Sequence, residues 1–368
     1  MVSGVYRLTM RILHLIPSLS GGGAERQLSY LAPELAHSGH DVHIAYTKDG
    51  PDKPELPGTT LHPLKFRSNY NPYLFWQIFK LIRHIKPDIV HTWITQMDIW
   101  GGIAAGFNHV PWVFREPSSV KAYLQPTWKN NLRIKIGSHA SVIVSNSQGG
   151  DEYWKTQLPN STRKIIVNGL PLQEIELSND YLPFDLEKKN VPIILYVGRI
   201  IGLKNPQFFL EAIASVKKEQ AVLGVICGEG NQRPQMENLI HTLNLDADVH
   251  FTGHLSASTI WTLMKKSAVF VSLSKYEGCP NTVMEAMACD CPLVISDIPA
   301  HREILDESCA AFVNPSNIQQ VSETILQTLS NRDASKKRTV IAKQKVQEWS
   351  IAKIAENWEI LYKEILLK

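Results

Sequence analysis

Residues 268–296 read AVFVSLSKYEGCPNTVMEAMACDCPLVIS and hold a complete strand–helix–strand unit. The runs 268–273 and 292–296 are short and rich in Val, Leu and Ile, while 283–289 is apolar except for Glu285. Continuous apolar strands of this kind are typical of parallel sheets that helices cover on both faces. The stretch therefore predicts a parallel α/β sheet.

The same alternation of apolar runs and helical patterns extends along the whole chain. Six runs lie in the first half, at residues 11–16, 41–46, 88–91, 112–114, 141–145 and 164–167. Six more lie in the second half, at residues 192–197, 222–227, 249–252, 268–273, 292–296 and 310–313. Two such sets predict two doubly wound, Rossmann-like domains. Since ligands of these sheets bind beyond the carboxyl ends of the strands, we expect the site in a cleft between facing domains.

A break in the pattern predicts where the two domains separate. Residues 174–191 become acidic and lose their periodicity, so they are predicted to be a linker between domains at 1–173 and 192–348. The tail, residues 349–368, places Ile354, Trp358 and Ile365 on one face of a helix. We expect that helix to dock elsewhere on the chain.

Composition and charge exclude several classes of protein. The chain has 368 residues, 44% of them hydrophobic and 20% charged, which excludes disordered and fibrous proteins. Residues 1–173 carry 18 Lys/Arg and 11 Asp/Glu, a formal charge of +7, whereas the remainder carries 20 and 24, a charge of −4. A basic half suits an anionic membrane or a phosphorylated substrate, or is scattered surface charge. Nucleic-acid binding is not expected, because no basic cluster exceeds residues 336–338.

The cysteines and the apolar stretches indicate a cytoplasmic protein. All five cysteines lie in the second half, and no second Cys or His pair completes a zinc site around Cys289 and Cys291. We interpret these two as small buried residues in a reducing compartment. No stretch reaches 18 apolar residues, and the first ten residues do not form a signal peptide.

Two cations follow the first strand of the second domain. Gly198 and Arg199 end that strand, and Lys204 with Asn205 stands at the start of the next helix. Cations that converge on a strand end and a helix N-terminus suit a diphosphate without a metal ion. The alternative is that they are ordinary surface charges.

The segment from Glu277 to Glu285 is the most specific motif. Its turn, Gly278, Cys279, Pro280 and Asn281, offers backbone N–H groups to sugar hydroxyls. Glu277 lies on the turn and Glu285 in the helix that follows. The alternative for Glu285 is a solvated position on the helix surface.

Two further motifs carry weaker signals. Gly21, Gly22 and Gly23 follow the first strand and open a helix, where an anion is favoured, although a tight turn without a ligand has the same pattern. A dinucleotide fingerprint is excluded because Arg26 stands where its third glycine belongs. Asp246 and Asp248 have the spacing of a metal-binding D-x-D motif, but we interpret them as turn residues before a strand.

Taken in order, these motifs resemble those of the family-4 glycosyltransferases of the GT-B fold. The resemblance runs from about residue 11 to the end of the chain. It is carried by the segments 20–26, 168–169, 198–199, 204–205, 228–230, 251–253, 277–285 and 349–350. It implies two Rossmann-like domains that face each other across a cleft, with the C-terminal helix returning to the first domain.

The resemblance also implies a role for each motif. Arg199 and Lys204 would neutralise the diphosphate of a nucleotide sugar, most simply a UDP-sugar. Glu285 would bind the ribose, and Glu277 with the turn would hold the transferred sugar. Gly230, His250 and Leu255 would border the base, and Gly22 with Gly23 would approach the diphosphate from the first domain. Catalysis would be retaining and metal-independent, with no cofactor, and the first domain would bind a glycan or lipid-linked acceptor of cell-surface polysaccharide synthesis.

The first-domain catalytic partner remains open in the sequence. Many family members place a His after the fourth or fifth strand, whereas this chain has Phe114-Arg115-Glu116-Pro117 there. Arg115, Glu116 and His91 are the candidates, each with a structural role as the alternative. The aromatic and basic residues 73–86 have two interpretations: reversible contact with the inner membrane surface, or a helix packed on the sheet. A nucleotide-sugar epimerase or hydrolase of the same fold, or a noncatalytic nucleotide-sugar binding protein, is the alternative function.

Overall fold

The computed structural model describes residues 9–19, 22–50, 53–65, 72–117, 127–182 and 191–368. The chain divides into two compact units. The first unit is Met1–Gly169 together with Trp349–Lys368, and the second is Leu170–Glu348.

The first unit is built on a seven-stranded parallel sheet in the order β3-β2-β1-β4-β5-β6-β7. Its strands are β1 Arg11–Ser18, β2 Asp41–Lys48, β3 Thr59–Pro63, β4 Ile89–Trp93, β5 Trp112–Glu116, β6 Val142–Ser145 and β7 Arg163–Ile165. The helices between them are α1 Gly23–His37, α2 Pro72–Ile85, α3 Ile94–Phe107, α4 Trp128–Gly137 and α5 Gln148–Gln157. The sheet confirms the predicted doubly wound arrangement. Two separate buried clusters border it, because helices cover both of its faces.

The C-terminal helix α14, Ile351–Leu366, belongs to the first unit and packs against α1. Trp358 and Tyr362 are buried in the same core cluster as β1 and α1. Tyr362 Oη lies 2.7 Å from Nδ1 of His91 on β4. The predicted return of this helix to the first domain is confirmed.

The second unit repeats the plan with a six-stranded parallel sheet in the order β10-β9-β8-β11-β12-β13. Its strands are β8 Ile193–Val197, β9 Leu223–Cys227, β10 Val249–Gly253, β11 Val269–Ser272, β12 Leu293–Ser296 and β13 Ala311–Val313. Its helices are α6 Leu172–Leu177, α7 Pro206–Glu219, α8 Arg233–Thr242, α9 Ala257–Lys266, α10 Asn281–Ala288, α11 Pro299–Arg302, α12 Ile318–Ser330 and α13 Arg332–Val346. All six strands coincide with the predicted apolar runs.

The structure corrects the predicted linker. The boundary between the units lies after Gly169, and α6 packs on α9 and α10 within the second unit. Ile175 and Leu182 are buried, and the Asp180 carboxylate accepts hydrogen bonds from the hydroxyls of Ser258 and Thr259. Residues 174–182 therefore form a packed segment that carries acidic residues, not a free linker. Residues 183–190 lie outside the described part of the chain.

Within the described ranges, no helix is both long and apolar enough to cross a lipid bilayer.

Candidate active site

The strand order of the second unit reverses between β8 and β11, and the two most informative motifs follow those strands. Lys204 lies after β8 and Glu277 after β11, and their side chains form an ion pair. Open α/β sheets bind ligands at the carboxyl ends of the strands where the order reverses. The sheet topology thus brings together residues that stand 73 positions apart in the sequence.

Local hydrogen bonds fix this pair. The backbone N–H of Lys275 donates to the carbonyl of Leu203 at 2.9 Å, which joins the two loops. Ser274 Oγ donates to Glu277 Oε1 at 2.6 Å. Asn205 has a left-handed backbone (φ 58°), which Asn tolerates better than most residues, and its side-chain amide donates to the carbonyl of Pro315. The pair is therefore held in place before a substrate arrives.

Arg199 supplies the second cation of this edge. Its side chain is exposed, and among the described residues no carboxylate forms an ion pair with it. The hydroxyl of Tyr196 donates to the Arg199 carbonyl at 3.0 Å and so holds the backbone at the end of β8. Lys204 is neutralised by Glu277, so Arg199 gives the site its net positive charge.

Two glycines after β9 allow its loop to touch the loop after β8. A Cβ at Gly228 would overlap the carbonyl of Gly198, and a Cβ at Gly230 would overlap that of Ile200. Ile200 N–H donates to the Glu229 carbonyl at 3.0 Å between these positions. Gly230 thus lies at the carboxyl edge of the sheet, where a residue that borders the base has to lie. A glycine is needed there because the two backbones are in contact.

The turn after Glu277 leads directly into α10. Gly278 and Cys279 are partly exposed, Pro280 is the N-cap residue, and Asn281 begins the helix. No side chain caps this helix end, and the backbone satisfies part of it: the N–H of Asn281 donates to the carbonyl of Cys279 and the N–H of Val283 to the carbonyl of Pro280, both at 3.0 Å. The Cys279 thiol lies 3.5 Å from Met284 Sδ, which orients it toward α10.

Glu285 is buried, with 1% of its surface exposed, in the middle of α10. This burial excludes the solvated position on the helix surface. Burial of a carboxylate is costly unless partners compensate for it. Its role in ribose binding stays a prediction.

Sequence reasoning missed a buried histidine at this edge. His301, in α11, is fully buried and its Nδ1 lies 2.7 Å from the carbonyl of Ser296 at the end of β12. Ser296 Oγ donates to the carbonyl of Ser274, whose hydroxyl holds Glu277. Burial lowers the pKa of His301 despite the nearby Glu277, so the ring is neutral. In the sequence, the only signal for His301 is its position after the end of a strand.

The other two residues predicted near the base, Leu255 and His250, lie in different places. Leu255 follows β10 and is half-buried at the carboxyl edge. His250 is the second residue of β10, paired with Val225 in the middle of β9. It therefore lies three residues before the strand end, roughly 10 Å from the edge at about 3.3 Å per residue. The structure does not bring His250 to the loops that form the site.

In the first unit, Gly22 is the N-cap of α1 and Gly23 its first residue, whereas Gly21 lies outside the described residues. The Glu25 carboxylate lies beside the backbone N–H groups of Gly22 and of Glu25 itself, which favour its charged form. Burial nevertheless raises the pKa of Glu25. A Cβ at Gly22 would overlap this carboxylate, which explains the glycine. An anionic group already occupies the helix start that was predicted to face a diphosphate.

The substrate contact predicted for Arg115 is not supported. Its side chain is buried and donates to the carbonyl of Ile166 at 2.8 Å and to Oδ1 of Asn168 at 2.9 Å. The guanidinium also lies 5.0 Å from the ring centre of Trp358 on α14. Arg115 thus joins β5, the segment after β7 and the C-terminal helix inside the first unit.

His91 and Glu116 are interior residues as well. His91 lies between Trp93 and Trp358, with ring centres at 4.8 and 4.6 Å. Burial lowers its pKa, helped by the nearby Arg115 and His14, so the ring is neutral. Glu116 is fully buried and accepts hydrogen bonds from Arg133 at 2.8 Å and from Trp154 at 3.0 Å. The structural alternative holds for both.

The carboxyl end of β4 carries backbone strain that the sequence did not reveal. Ile94, directly after β4, has φ 71°, a region that β-branched residues rarely adopt. β4 is the neighbour of β1 at the point where the strand order of the first unit reverses. Thr95 and Gln96, the next two residues, are partly exposed.

The described residues contain no group of three or more His, Cys, Asp or Glu side chains that could hold a metal ion. Asp248 pairs with Lys217 at 2.5 Å and Asp246 with His241, in the turn before β10 at the amino edge of the sheet. The turn interpretation of this motif fits that place. Cys289 and Cys291 are buried as predicted, and burial raises the pKa of both thiols.

Comparison with known proteins matches both units. Residues 21–174 match the family described as Glycosyltransferase Family 4, and residues 179–346 match Glycosyl transferases group 1. An alpha-1,4-N-acetyl-D-galactosaminyltransferase of Campylobacter jejuni is 25% identical over 97% of this chain and 99% of its own length. A 4-alpha-N-acetylgalactosaminyltransferase of the same organism is 27% identical over 93% and 96%. The crystal structure of Anabaena HepE with UDP has a TM-score of 0.82 at 18% identity, covering 96% of this chain and 100% of that one.

Proposed function

This chain belongs to the family-4 glycosyltransferases of the GT-B fold, and we propose that it transfers a hexose-type sugar from a UDP-sugar to a lipid-linked glycan. The names of the two Campylobacter relatives give undecaprenol-diphosphate-linked glycans as their acceptors, and N-acetylgalactosamine as the sugar they transfer. HepE was crystallised with UDP. These names make UDP-N-acetylgalactosamine the first donor to test.

The observation that carries the proposal is the Lys204–Glu277 pair beside Arg199, at the edge where the strand order reverses. Departure of a nucleoside diphosphate builds negative charge while the sugar becomes cationic. Fixed cations at the leaving group and a fixed carboxylate near the sugar therefore lower the barrier. The side chains of Lys204 and Glu277 are only 19% and 12% exposed, so water screens their charges less than at an open surface.

The remaining site residues are assigned by position. The turn formed by Gly278, Cys279, Pro280 and Asn281 would hold the sugar with Glu277, while Glu285 would bind the ribose. Leu255 and Gly230 would border the base.

The proposed reaction retains the anomeric configuration. The acceptor hydroxyl attacks the anomeric carbon on the face from which the diphosphate leaves, so the C–O bond to the acceptor forms as the bond to phosphate breaks. A phosphate oxygen takes the hydroxyl proton. The described side chains at the β8 and β11 loops supply charge to this step, and no covalent sugar–enzyme intermediate is required.

Transfer should not require a divalent metal ion, because Arg199 and Lys204 provide the positive charge that a metal supplies in other transferases. We expect activity with excess EDTA to equal activity with added Mg²⁺ or Mn²⁺. The measurement is the initial rate of UDP release. A strict requirement for either ion would contradict the assignment of the two cations.

The function is tested by incubating the protein with UDP-N-acetylgalactosamine or UDP-glucose and an undecaprenyl-diphosphate-linked glycan. Mass spectrometry should show one added sugar, and NMR should show the anomeric configuration of the donor. A reaction with the donor alone is the control. A donor that is epimerised or hydrolysed there, with no transfer to lipid-linked glycans, would favour the alternative enzyme classes instead.

We also propose that the protein works in the cytoplasm in reversible contact with the inner leaflet, where a lipid-linked acceptor is accessible. The formal charge of +7 in residues 1–173 supports this placement, since anionic lipids attract basic surfaces.

A further inference from the structure

Three buried polar side chains connect α11 to Glu277 by hydrogen bonds. His301, Ser296 and Ser274 are each at most 1% exposed, and they come from α11, the end of β12 and the loop after β11. We call these three residues the polar relay. Buried polar groups are costly unless each has a partner, whereas apolar groups of the same shape would fill the space without that requirement. A polar relay at this place therefore points to a role in the site.

The relay begins at the His301 ring. A carbonyl oxygen only accepts hydrogen bonds, so the 2.7 Å contact with the Ser296 carbonyl places a ring proton on Nδ1. Ser296 Oγ lies 3.4 Å from the same Nδ1 and accepts more weakly from it. Because this N–H faces a lone pair of the Ser296 hydroxyl, the hydroxyl proton points away from the ring.

Ser296 passes this orientation to the loop after β11. Its hydroxyl donates to the Ser274 carbonyl at 2.7 Å, and the Ser274 hydroxyl donates to Glu277 Oε1 at 2.6 Å. The two serines lie together because β11 and β12 are neighbouring strands, with Ser272 paired with Ile295. Buried hydrogen bonds in series polarise one another, so the relay holds the carboxylate more firmly than one isolated bond would.

This arrangement leaves one oxygen of Glu277 for a substrate. Within the part of the chain that the structure describes, Lys204 and Ser274 both donate to Oε1, and no hydrogen bond reaches Oε2. Oε2 is therefore the oxygen that can accept a bond from a sugar hydroxyl. A rotation of the carboxylate would exchange the two oxygens and break both bonds to Oε1.

The charges of the site also act on the His301 ring. Burial lowers its pKa, the bond to Ser296 and the charge of Glu277 oppose this effect, Lys204 reinforces it, and Asp297 opposes it. The ring is therefore near both members of the Lys204–Glu277 pair but stays neutral. Since it adds no charge to the site, its contribution is to position other groups.

We propose that His301 and Ser296 are positioning residues of sugar transfer. Through Ser274 they keep one oxygen of Glu277 on Lys204 and present the other oxygen to the transferred sugar. This inference rests on the proposed function and deepens it, because it adds two residues outside the 277–285 motif to the donor site. In this role neither residue touches the substrate.

The first test removes the middle of the relay. Ser296→Ala should lower kcat about tenfold, roughly the effect of one lost hydrogen bond. Its calorimetric affinity for free UDP should equal that of the wild type, whereas its affinity for UDP-N-acetylgalactosamine should fall. Ser267→Ala is the matched control, since Ser267 is also buried but lies before β11, at the amino edge, where its hydroxyl donates to the Leu263 carbonyl. The control should transfer like the wild type.

The second test separates the hydrogen bond of His301 from its volume. His301→Asn keeps a side-chain N–H that can donate in place of Nδ1, so it should retain most of the turnover. His301→Leu fills a similar space without a donor, so its kcat should fall as in Ser296→Ala. Thermal unfolding checks that the variants are folded, and Ser296→Ala carries the test if His301→Leu is not.

A double-mutant cycle tests whether the relay acts through Glu277. Glu277→Ala has no carboxylate left to position, so adding Ser296→Ala to it should not slow transfer further. If Ser296 only stabilised the fold, the two losses in kcat would multiply instead. The initial rate of UDP release in the presence of acceptor measures all four proteins of the cycle.

Three results would overturn the proposal. They are wild-type kcat and UDP-sugar affinity in Ser296→Ala, equal losses in His301→Asn and His301→Leu, and multiplied losses in the double variant. In each case the wild type still transfers sugar, so the proposed function stands. A wild type that neither binds UDP nor transfers sugar would refute the proposed function itself, and this role with it.

Discussion

Lys204 is the residue on whose charge the proposed chemistry depends most. Lys204→Ala should lower turnover about 100-fold, the scale of losing one preorganised electrostatic group, because the variant also leaves Glu277 as an uncompensated negative charge at the site. Lys217→Ala is the control, since Lys217 also forms an ion pair with a carboxylate but at the amino edge. Steady-state rates of both variants decide the matter. Near-normal turnover of Lys204→Ala would make it an ordinary surface charge.

The two carboxylates of the motif should have separable roles. Glu285→Gln should weaken binding of free UDP. Glu277→Gln should leave UDP binding nearly unchanged, because Lys204, no longer paired with a carboxylate, still meets the diphosphate. The same variant should depress transfer, because it removes the carboxylate near the sugar. Calorimetry with UDP, which lacks the sugar, discriminates between the roles. Equal loss of UDP affinity in both variants would refute the division. Thermal unfolding controls for the burial of Glu285.

At single residues, the sequence predicted best where a motif follows a strand. Lys204, Glu277 and the turn after it lie where their positions after β8 and β11 predicted. Arg115 and His91 were harder, because a polar residue inside an apolar strand has the same sequence pattern whether it faces a substrate or a buried partner. Their partners, Asn168 and Tyr362, are 53 and 271 residues away, so no local pattern reveals them.

Between elements, a buried charge network joins α3, α4 and β5. Arg133 on α4 donates to Asp98 on α3 and to Glu116 on β5, both at 2.8 Å, and all three are almost fully buried. Burial raises the pKa of Asp98 to about 6, against the opposing effect of Arg133. Because the folded value exceeds the unfolded value of about 3.9, the folded state binds more protons between them, so stability from this group falls as pH rises through that window.

Arg133→Met should therefore lower the free energy of unfolding by about 3–5 kcal/mol at pH 8, because it leaves two buried carboxylates without their cation. The loss should be smaller at pH 5, since the pKa of Asp98 rises further without Arg133 and the carboxyl is then neutral. Urea unfolding at the two pH values measures both. A loss that is the same at pH 5 and pH 8 would mean that packing, not charge, explains the effect.

Among elements, the predicted strands agree with the structure where apolar runs are long. β3 was missed because Thr59–Pro63 is a short edge strand with polar residues and a terminal proline, a pattern close to that of a loop. α6 was assigned to a linker because its six residues are too few to show a helical period. α6 packs on α9 and α10, which follow it in the chain by about 80 or more residues. Just after α6, the Asp180 N–H likewise donates to Thr262 Oγ1 of α9.

At the scale of the whole molecule, the two units differ in chain continuity. The second unit is one segment, Leu170–Glu348, with its own sheet and its own core cluster. The first unit needs Trp349–Lys368 to complete its core, since Trp358 and Tyr362 of α14 are buried against β1, α1 and β4. The sequence predicted both the two-domain plan and the tail helix, but the boundary at Gly169 required the contacts of α6.

This asymmetry predicts how fragments behave. Residues 170–348 alone should fold and bind UDP, because they contain Arg199, Lys204, Glu277 and Glu285, but should not transfer sugar. Residues 1–169 alone should be unstable, because loss of Trp358 by itself removes a large buried side chain, a change that costs about 3–5 kcal/mol in other cores. Adding residues 349–368 as a peptide should raise the melting temperature of that fragment. Circular dichroism and calorimetry provide the measurements. The contradicting outcome is a 170–348 fragment that folds cooperatively and does not bind UDP. It would show that the first unit supplies essential donor contacts, and the β8 and β11 loops would then no longer be assigned as the nucleotide site.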